Sequence, residues 1–338
     1  MTPRLIDRRP ELSPEDLVAA LVPPPRFDDV RFATYVPDPA EPTQQEALAC
    51  AQAFAGRIPA ATTSRSWFGR RKRTAVSGAP GLYLDGGFGV GKTHLLASLW
   101  HAAPEPKAYG TFVEITSLVG ALGFASTVEA LSGLRLVAID EFELDDPGDT
   151  VLVSTLLGRL VDAGVWVGAT SNTQPEDLGA ERFAAEDFLR EIQGLASHFA
   201  VQRVDGQDYR HRGLASPPAP VPDDEVTRRT AAVDGATCDD FTALGDYLAT
   251  LHPSRYGRLV AGVPLVGLQR LRPVADQAVA LRLGVFVDRL YDARVPVVAS
   301  GVGVNELFDD ELLRGPHRKK YQRAVSRLGA LTREANAA

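Results

Sequence analysis

Eight consecutive residues, Gly86-Gly87-Phe88-Gly89-Val90-Gly91-Lys92-Thr93, satisfy the pattern G-x-x-x-x-G-K-[ST]. An apolar run, Leu82 to Leu84, precedes them, and a helical pattern, Thr93 to Trp100, follows with His94 in its first turn. That context separates a phosphate-binding loop from a chance string. The four glycines let the backbone curl closely around an anion with its N–H groups turned inward, and the helix start adds partial positive charge. A polyphosphate is the natural guest, and ATP with Mg²⁺ the expected ligand pair. In that reading Lys92 reaches the β- and γ-phosphates and the Thr93 hydroxyl binds the metal. The bland alternative is a glycine-rich turn with an incidental lysine.

Leu136-Val137-Ala138-Ile139-Asp140-Glu141 is an apolar run ending in two carboxylates. Strand ends line the ligand crevice of a parallel sheet, so Asp140 is expected to hold the metal through its water shell. A carboxylate beside a γ-phosphate can orient or deprotonate a water, and Glu141 is expected to do so, which favours hydrolysis over transfer to a second substrate. The next apolar run, Val165 to Thr170, ends in Ser171-Asn172. Asn172 is expected to hydrogen-bond the γ-phosphate or the attacking water; a turn or cap before Pro175 is the alternative.

These residues need an α/β framework. Leu82 to Leu84, Phe112 to Ile115, Leu136 to Ile139, Val165 to Thr170 and Phe199 to Val204 read as strands, with helices such as Thr93 to Trp100 and Val151 to Ala163 between them. Near-continuous apolar strands alternating with helices predict a parallel sheet covered on both faces. Residues 1–80 read as a Pro-rich, charged segment with one helix, Thr43 to Ala55, and residues 81–213 as the nucleotide-binding core. A Pro-rich linker over 214–226 leads to a C-terminal α/β region, 227–338, with helices Phe241 to Leu251, Ala275 to Leu290 and Lys319 to Arg333 and a strand Val295 to Ala299. The stretch Arg159 to Val167 is echoed by Arg289 to Val297, either as a repeated helix–strand unit or as a shared helix-exit pattern.

The composition sets outer limits. The chain has 338 residues, 45% hydrophobic and 23% charged, enough for a sizeable core and more than one minimal module. With 36 basic and 43 acidic residues the net charge is −7, which argues against chain-wide electrostatic binding to nucleic acid or anionic lipid. A local patch is the exception: Ser64 to Arg73 joins four basic residues in a row to Trp67 and Phe68, which could stack on single-stranded nucleic acid or remain a solvated loop. Cys50 and Cys238 are far apart and form no metal or disulfide spacing, and neither a leader nor an 18-residue apolar run is present, so a cytoplasmic location is expected.

Taken with Asp140-Glu141-Phe142, Ala169-Thr170-Ser171-Asn172 followed by Pro175-Glu176-Asp177-Leu178, Asp208-Tyr209-Arg210, Leu290-Tyr291-Asp292 and Ser326-Arg327-Leu328, the phosphate loop resembles that of the ZapE-like family of AAA+ ATPases. The resemblance runs from about Gly81 to Leu328. It implies an AAA+ P-loop sheet of strand order 5-1-4-3-2, a C-terminal lid, nucleotide-dependent homo-oligomers, and ATP hydrolysis coupled to remodelling of a protein partner, with the division-ring protein FtsZ as candidate. Glu143 stands where relatives usually carry Gln, Tyr109-Gly110-Thr111-Phe112 replaces a His-rich stretch, and Asp187 replaces the Arg that normally precedes Phe188-Leu189. An arginine acting on a neighbouring subunit's phosphates must then come from elsewhere, and Arg182 and Arg190 flank the expected helix. Arg327 matches the family's lid arginine, with a plain salt bridge as the alternative. A nucleic-acid-associated AAA+ module of the replication-initiator or helicase-loader type is the runner-up.

Overall fold

A computed structural model describes residues 2–10, 14–60, 79–87, 89–144, 147–175, 178, 189–207, 217–315 and 317–337. Phe88, Arg182, the basic stretch from Ser64 to Arg73 and Asp208-Tyr209-Arg210 lie outside the described residues. Backbone contacts divide the chain into two units. One comprises residues 12–23 and 27–212, the other residues 1–11, 24–26 and 213–338. The described residues before Pro80 are thus divided between the two units.

The first unit is built on five strands: β1 (Gly81–Gly86), β2 (Lys107–Thr111), β3 (Leu136–Asp140), β4 (Trp166–Ser171) and β5 (Phe199–Val204). They lie in the order β2-β3-β4-β1-β5, all parallel, which is the expected 5-1-4-3-2 read from the other edge. Every residue of β1, β3 and β4 is buried, as a sheet covered on both faces requires. Alternate residues feed opposite layers. Tyr83, Val137 and Ile139 join one apolar cluster, whereas Leu82, Leu84, Leu136 and Ala138 join the other. The helices of this unit are α1 (Pro14–Ala19), α2 (Pro42–Arg57), α3 (Lys92–Ala102), α4 (Phe112–Leu122), α5 (Phe124–Ser132), α6 (Pro147–Ala163) and α7 (Leu189–Ala196).

The strand expected at Phe112 to Ile115 is not formed. Phe112 to Ile115 is the first turn of α4, and the strand is the preceding stretch, Lys107–Thr111. Thr111 caps the helix: its hydroxyl accepts from the Glu114 N–H at 3.3 Å, and Glu114 Oε2 accepts from the Thr111 N–H at 2.7 Å. This reciprocal box outweighs the β-propensity of Phe-Val-Glu-Ile.

The second unit holds a parallel three-stranded sheet, β6 (Thr237–Asp240), β7 (Val266–Leu271) and β8 (Val297–Gly301), in the order β6-β7-β8. Its helices are α8 (Asp223–Ala231), α9 (Phe241–Thr250), α10 (Tyr256–Val260), α11 (Gln277–Asp292), α12 (Asp310–Arg314) and α13 (Arg318–Ala337). Leu5, Leu268, Phe286, Leu290, Tyr321 and Leu328 meet in one core. Among the described residues no single helix is long and apolar enough to cross a membrane.

Candidate nucleotide site

The loop between β1 and α3 is shaped by steric necessity. Gly86 has φ +147°, and a Cβ there would lie 2.0 Å from the Val204 carbonyl oxygen on neighbouring β5. Gly91, the residue before α3, has φ +96°, and a Cβ there would lie 2.6 Å from the Tyr35 ring. Only glycine fits either position. Tyr35 is itself held down, its hydroxyl donating to the Val90 carbonyl at 3.2 Å. The extended segment before α2 thus braces the outer edge of the loop.

Lys92 is the first residue of α3 and is buried. Its ammonium folds back over the loop, donating to the Gly86 carbonyl at 2.8 Å, to the Gly87 carbonyl, and to Asn172 Oδ1 at 3.1 Å. These partners set the cation inside the curl of the loop, where an anion's oxygens would compete for it. Asn172 follows β4, and its Nδ2 donates to Glu143 Oε1 at 2.9 Å.

Asp140, the last residue of β3, is buried and collects three hydroxyl donors. Thr93 Oγ1 donates to its Oδ1 at 3.2 Å, Thr170 Oγ1 to the same oxygen, and Tyr109 Oη to its Oδ2 at 2.9 Å. Burial pushes the carboxyl of Asp140 above the ordinary range and the neighbouring Glu141 charge adds to this, while the three hydroxyls oppose the rise. Glu141 is exposed, with φ +52°, and its N–H donates to Thr170 Oγ1 at 3.1 Å. Phe142 anchors this turn: its N–H donates to the Thr170 carbonyl at 2.7 Å, and its buried ring meets Phe112 and Tyr83 edge to face at 5.1 and 6.1 Å. With Phe142 pulled into the core, the Glu141 side chain is directed outward at the end of the strand.

The structure therefore brings together Gly86, Gly87, Gly91, Lys92, Thr93, Asp140, Glu141 and Asn172. Val90 is buried beneath the loop, and Gly89 contributes a further left-handed turn, φ +68°. His94 turns sideways, its Nε2 3.0 Å from Thr34 Oγ1 and 3.3 Å from the Arg31 carbonyl oxygen; burial lowers its pKa and the Arg31 contact opposes that. Arg190 is exposed in the first turn of α7. Arg327, on α13, pairs with Asp288 at 2.7 Å and lies 5.0 Å from the centre of the Tyr291 ring. Tyr109, Thr170 and Glu143 stand in the quoted sequence stretches without a role at the site, and the structure gives each a contact there. A hydroxyl within a strand carries no spacing signal, and only strand register brings it to the carboxylate.

The metal expectation can be tested on the donor set. Thr93 Oγ1 and Asp140 Oδ1 are hard oxygens in contact, and no group of three or more His, Cys, Asp or Glu suited to a metal occurs among the described residues. One carboxylate, one hydroxyl and the oxygens of phosphate and water suit Mg²⁺, which seldom uses an all-protein cage. The residues fit the ion.

Comparison with known proteins adds an independent line. The AFG1-like ATPase family model matches residues 12–228 and 214–337. The cell division protein ZapE of Escherichia coli K12 is 26% identical over 324 residues, covering 81% of this chain and 83% of that protein, and ZapE of E. coli O157:H7 matches equally. Similar solved structures include the DnaC helicase loader, at 16% identity and TM-score 0.36 over 53% of this chain and 99% of that one. AMPPCP-bound DnaA from Aquifex aeolicus has 11% identity and TM-score 0.39 over 62% and 56%. The family model spans both units, and the sheet has the strand order that the phosphate loop's resemblance implied: the chain is an AAA+ ATP hydrolase and belongs to the AFG1-like ATPase family.

Proposed function

We propose that the chain couples hydrolysis of Mg²⁺-ATP to the remodelling or regulation of a protein partner, working as a homo-oligomer that assembles when nucleotide is bound. The observation that carries the chemical part is the junction of Thr93 with Asp140 at 3.2 Å, with Glu141 turned outward at the same strand end. Thr93 and Asp140 would hold Mg²⁺, which would neutralise phosphate charge when bound. Lys92 exchanges its carbonyl partners for the β- and γ-phosphates. Glu141 takes a proton from the water whose oxygen forms a bond to the γ-phosphorus, the bond from that phosphorus to the bridging oxygen breaks, and ADP leaves with its electron pair while phosphate is released. Asn172 orients that water or a γ-phosphate oxygen. Arg190 or Arg182 serves as the arginine acting on a neighbouring subunit's nucleotide, and Arg327 reads nucleotide state from the C-terminal unit.

The partner we propose is a division-ring protein of FtsZ type, on the strength of likeness to a relative named for cell division. Glu141→Gln should retain ATP and hold the partner-bound state. Purified E141Q with ATP is expected to pull down FtsZ in excess of the same protein with ADP. Equal capture in both nucleotides overturns the partner reading, and rapid ADP release by E141Q overturns the role of Glu141.

A further inference from the structure

The turn after β3 alternates in burial. Phe142 and Leu144 are inside, at 0% and 2% exposure, while Glu141 is exposed and Glu143 half-buried. Two carboxylates thus stand on the outward side of one short turn, Glu141 as the proposed base and Glu143 two residues on. Glu143 faces the Asn172 amide, and that amide faces Lys92.

The polarity of this chain of contacts is dictated by chemistry. An ammonium only donates and a carboxylate only accepts, whereas a primary amide presents one face of each kind. Asn172 therefore turns Oδ1 to Lys92, at 3.1 Å, and Nδ2 to Glu143, at 2.9 Å. Nδ2 carries two hydrogens. One is spent on Glu143, and the other is left to point at a phosphate oxygen or a water. While Lys92 rests on Asn172, either neighbour alone suffices to set the amide. Once a polyphosphate draws the ammonium away, Glu143 is the neighbour among the described residues that still imposes a direction. A glutamine at 143 would pair with the amide in either sense, so the donor face of Asn172 would be presented only part of the time.

We infer that Glu143 is a positioning residue for hydrolysis, fixing through its carboxylate the orientation of the Asn172 amide in the nucleotide-loaded state. The inference rests on the proposed role of Asn172 at the γ-phosphate. It makes Glu143 matter to turnover and not to binding, because Lys92 and the loop hold the nucleotide whichever way the amide points.

The test is a double-mutant cycle with Glu143→Gln, Asn172→Ala and the pair, measuring kcat and the dissociation constant for ATP. E143Q is near-isosteric and is expected to melt with the wild type and bind ATP within about twofold. Its kcat is expected to fall about fivefold, which corresponds to one ordinary hydrogen bond of about 1 kcal/mol. N172A is expected to turn over more slowly than wild type, and adding E143Q to it should cost nothing more. Glu143→Asp, which keeps an acceptor-only headgroup, should retain more turnover than E143Q. Wild-type kcat in E143Q, the same loss repeated in full on the N172A background, a loss of ATP affinity in step with kcat, or the reverse ranking of Asp and Gln each overturns the inference. Those results leave the ATPase site standing; normal turnover in Lys92→Ala and Glu141→Gln would instead remove the site reading itself.

Discussion

Asp140, the carboxylate proposed to hold the metal, shows how such a group opposes the fold that carries it. Its pKa is raised chiefly by burial, so the folded protein holds that proton more tightly than the unfolded chain does. A raised acid contributes no penalty below its ordinary value of 3.8 and an increasing one as pH climbs from there toward the folded value. At neutral pH without metal, Asp140 is therefore a cost. Asp140→Asn is expected to raise stability by about 0.5–2 kcal/mol, the range common for stabilising changes at strained functional positions. The same variant should lose any Mg²⁺-dependent rise in Tm; a melt with and without Mg²⁺ checks both. On the proposed role of Lys92, Lys92→Ala removes the charge-assisted hydrogen bonds it would make to phosphate and should weaken ATP binding about 10- to 100-fold or more in calorimetry. Residues such as Lys92, Thr93, Asp140 and Glu141 were legible because adjacency in sequence encodes their adjacency in space. Tyr109 and Thr170 were not, since each reaches Asp140 only through the lateral pairing of β2 and β4 with β3.

At the scale of elements, the two similar stretches of sequence fold into the same helix exit. After α6, the Val165 N–H donates to the Leu160 carbonyl at 3.0 Å and the Gly164 N–H to Val161 at 2.9 Å. After α11, the Val295 N–H donates to Leu290 at 2.9 Å and the Arg294 N–H to Tyr291 at 3.1 Å. Both are Schellman closures with a left-handed residue, φ +90° at Gly164 and +54° at Arg294. Each then feeds a parallel strand, so the similar sequences share both the exit and the helix–strand order around it. An L-residue in that conformation is strained by about 1–2 kcal/mol and glycine is not. Gly164→Ala is accordingly expected to destabilise the chain by about 1 kcal/mol, and Arg294→Gly to be neutral or stabilising by up to about 1 kcal/mol after loss of the exposed Arg294–Arg26 contact. Urea titrations of the two variants decide it. Four strands of the first unit, β1, β3, β4 and β5, were readable from their apolar runs; β2 was not, since Lys-Ala-Tyr-Gly-Thr is less apolar than the helix start that follows it, and neither was Thr237–Asp240, because Thr-Cys-Asp-Asp carries no apolar alternation and its place in the sheet is set by β7 beside it.

At the scale of the whole molecule, the opening residues belong to the far end of the chain. Leu5 is fully buried in the core of the second unit, and the Cys238 N–H at the edge strand β6 donates to the Pro3 carbonyl at 2.9 Å. Asp239 Oδ2 and Oδ1 accept from the Leu5 and Ile6 N–H groups at 2.8 and 3.2 Å. Arg8 closes the segment, donating to the Ala261 carbonyl at 2.8 Å. Burial drives the Asp239 carboxyl upward, and those two backbone N–H groups are the main forces holding it down. Deleting residues 2–9 would strip away both donors and leave a buried carboxylate, besides removing Leu5. Hydrogen bonds to a charged group are worth about 1.5–3 kcal/mol each and a buried leucine a further 2 kcal/mol or more, so the second unit is expected to lose several kcal/mol. Adding Asp239→Asn to the truncation should recover part of the loss, since no charge then stays buried. Hydrogen exchange reads the effect locally: the Cys238 amide is expected to exchange at least about 10²-fold faster in the truncated chain, while amides of β3 and β4 keep their protection. Unchanged protection at Cys238 would mean that the second unit is complete without its N-terminal residues.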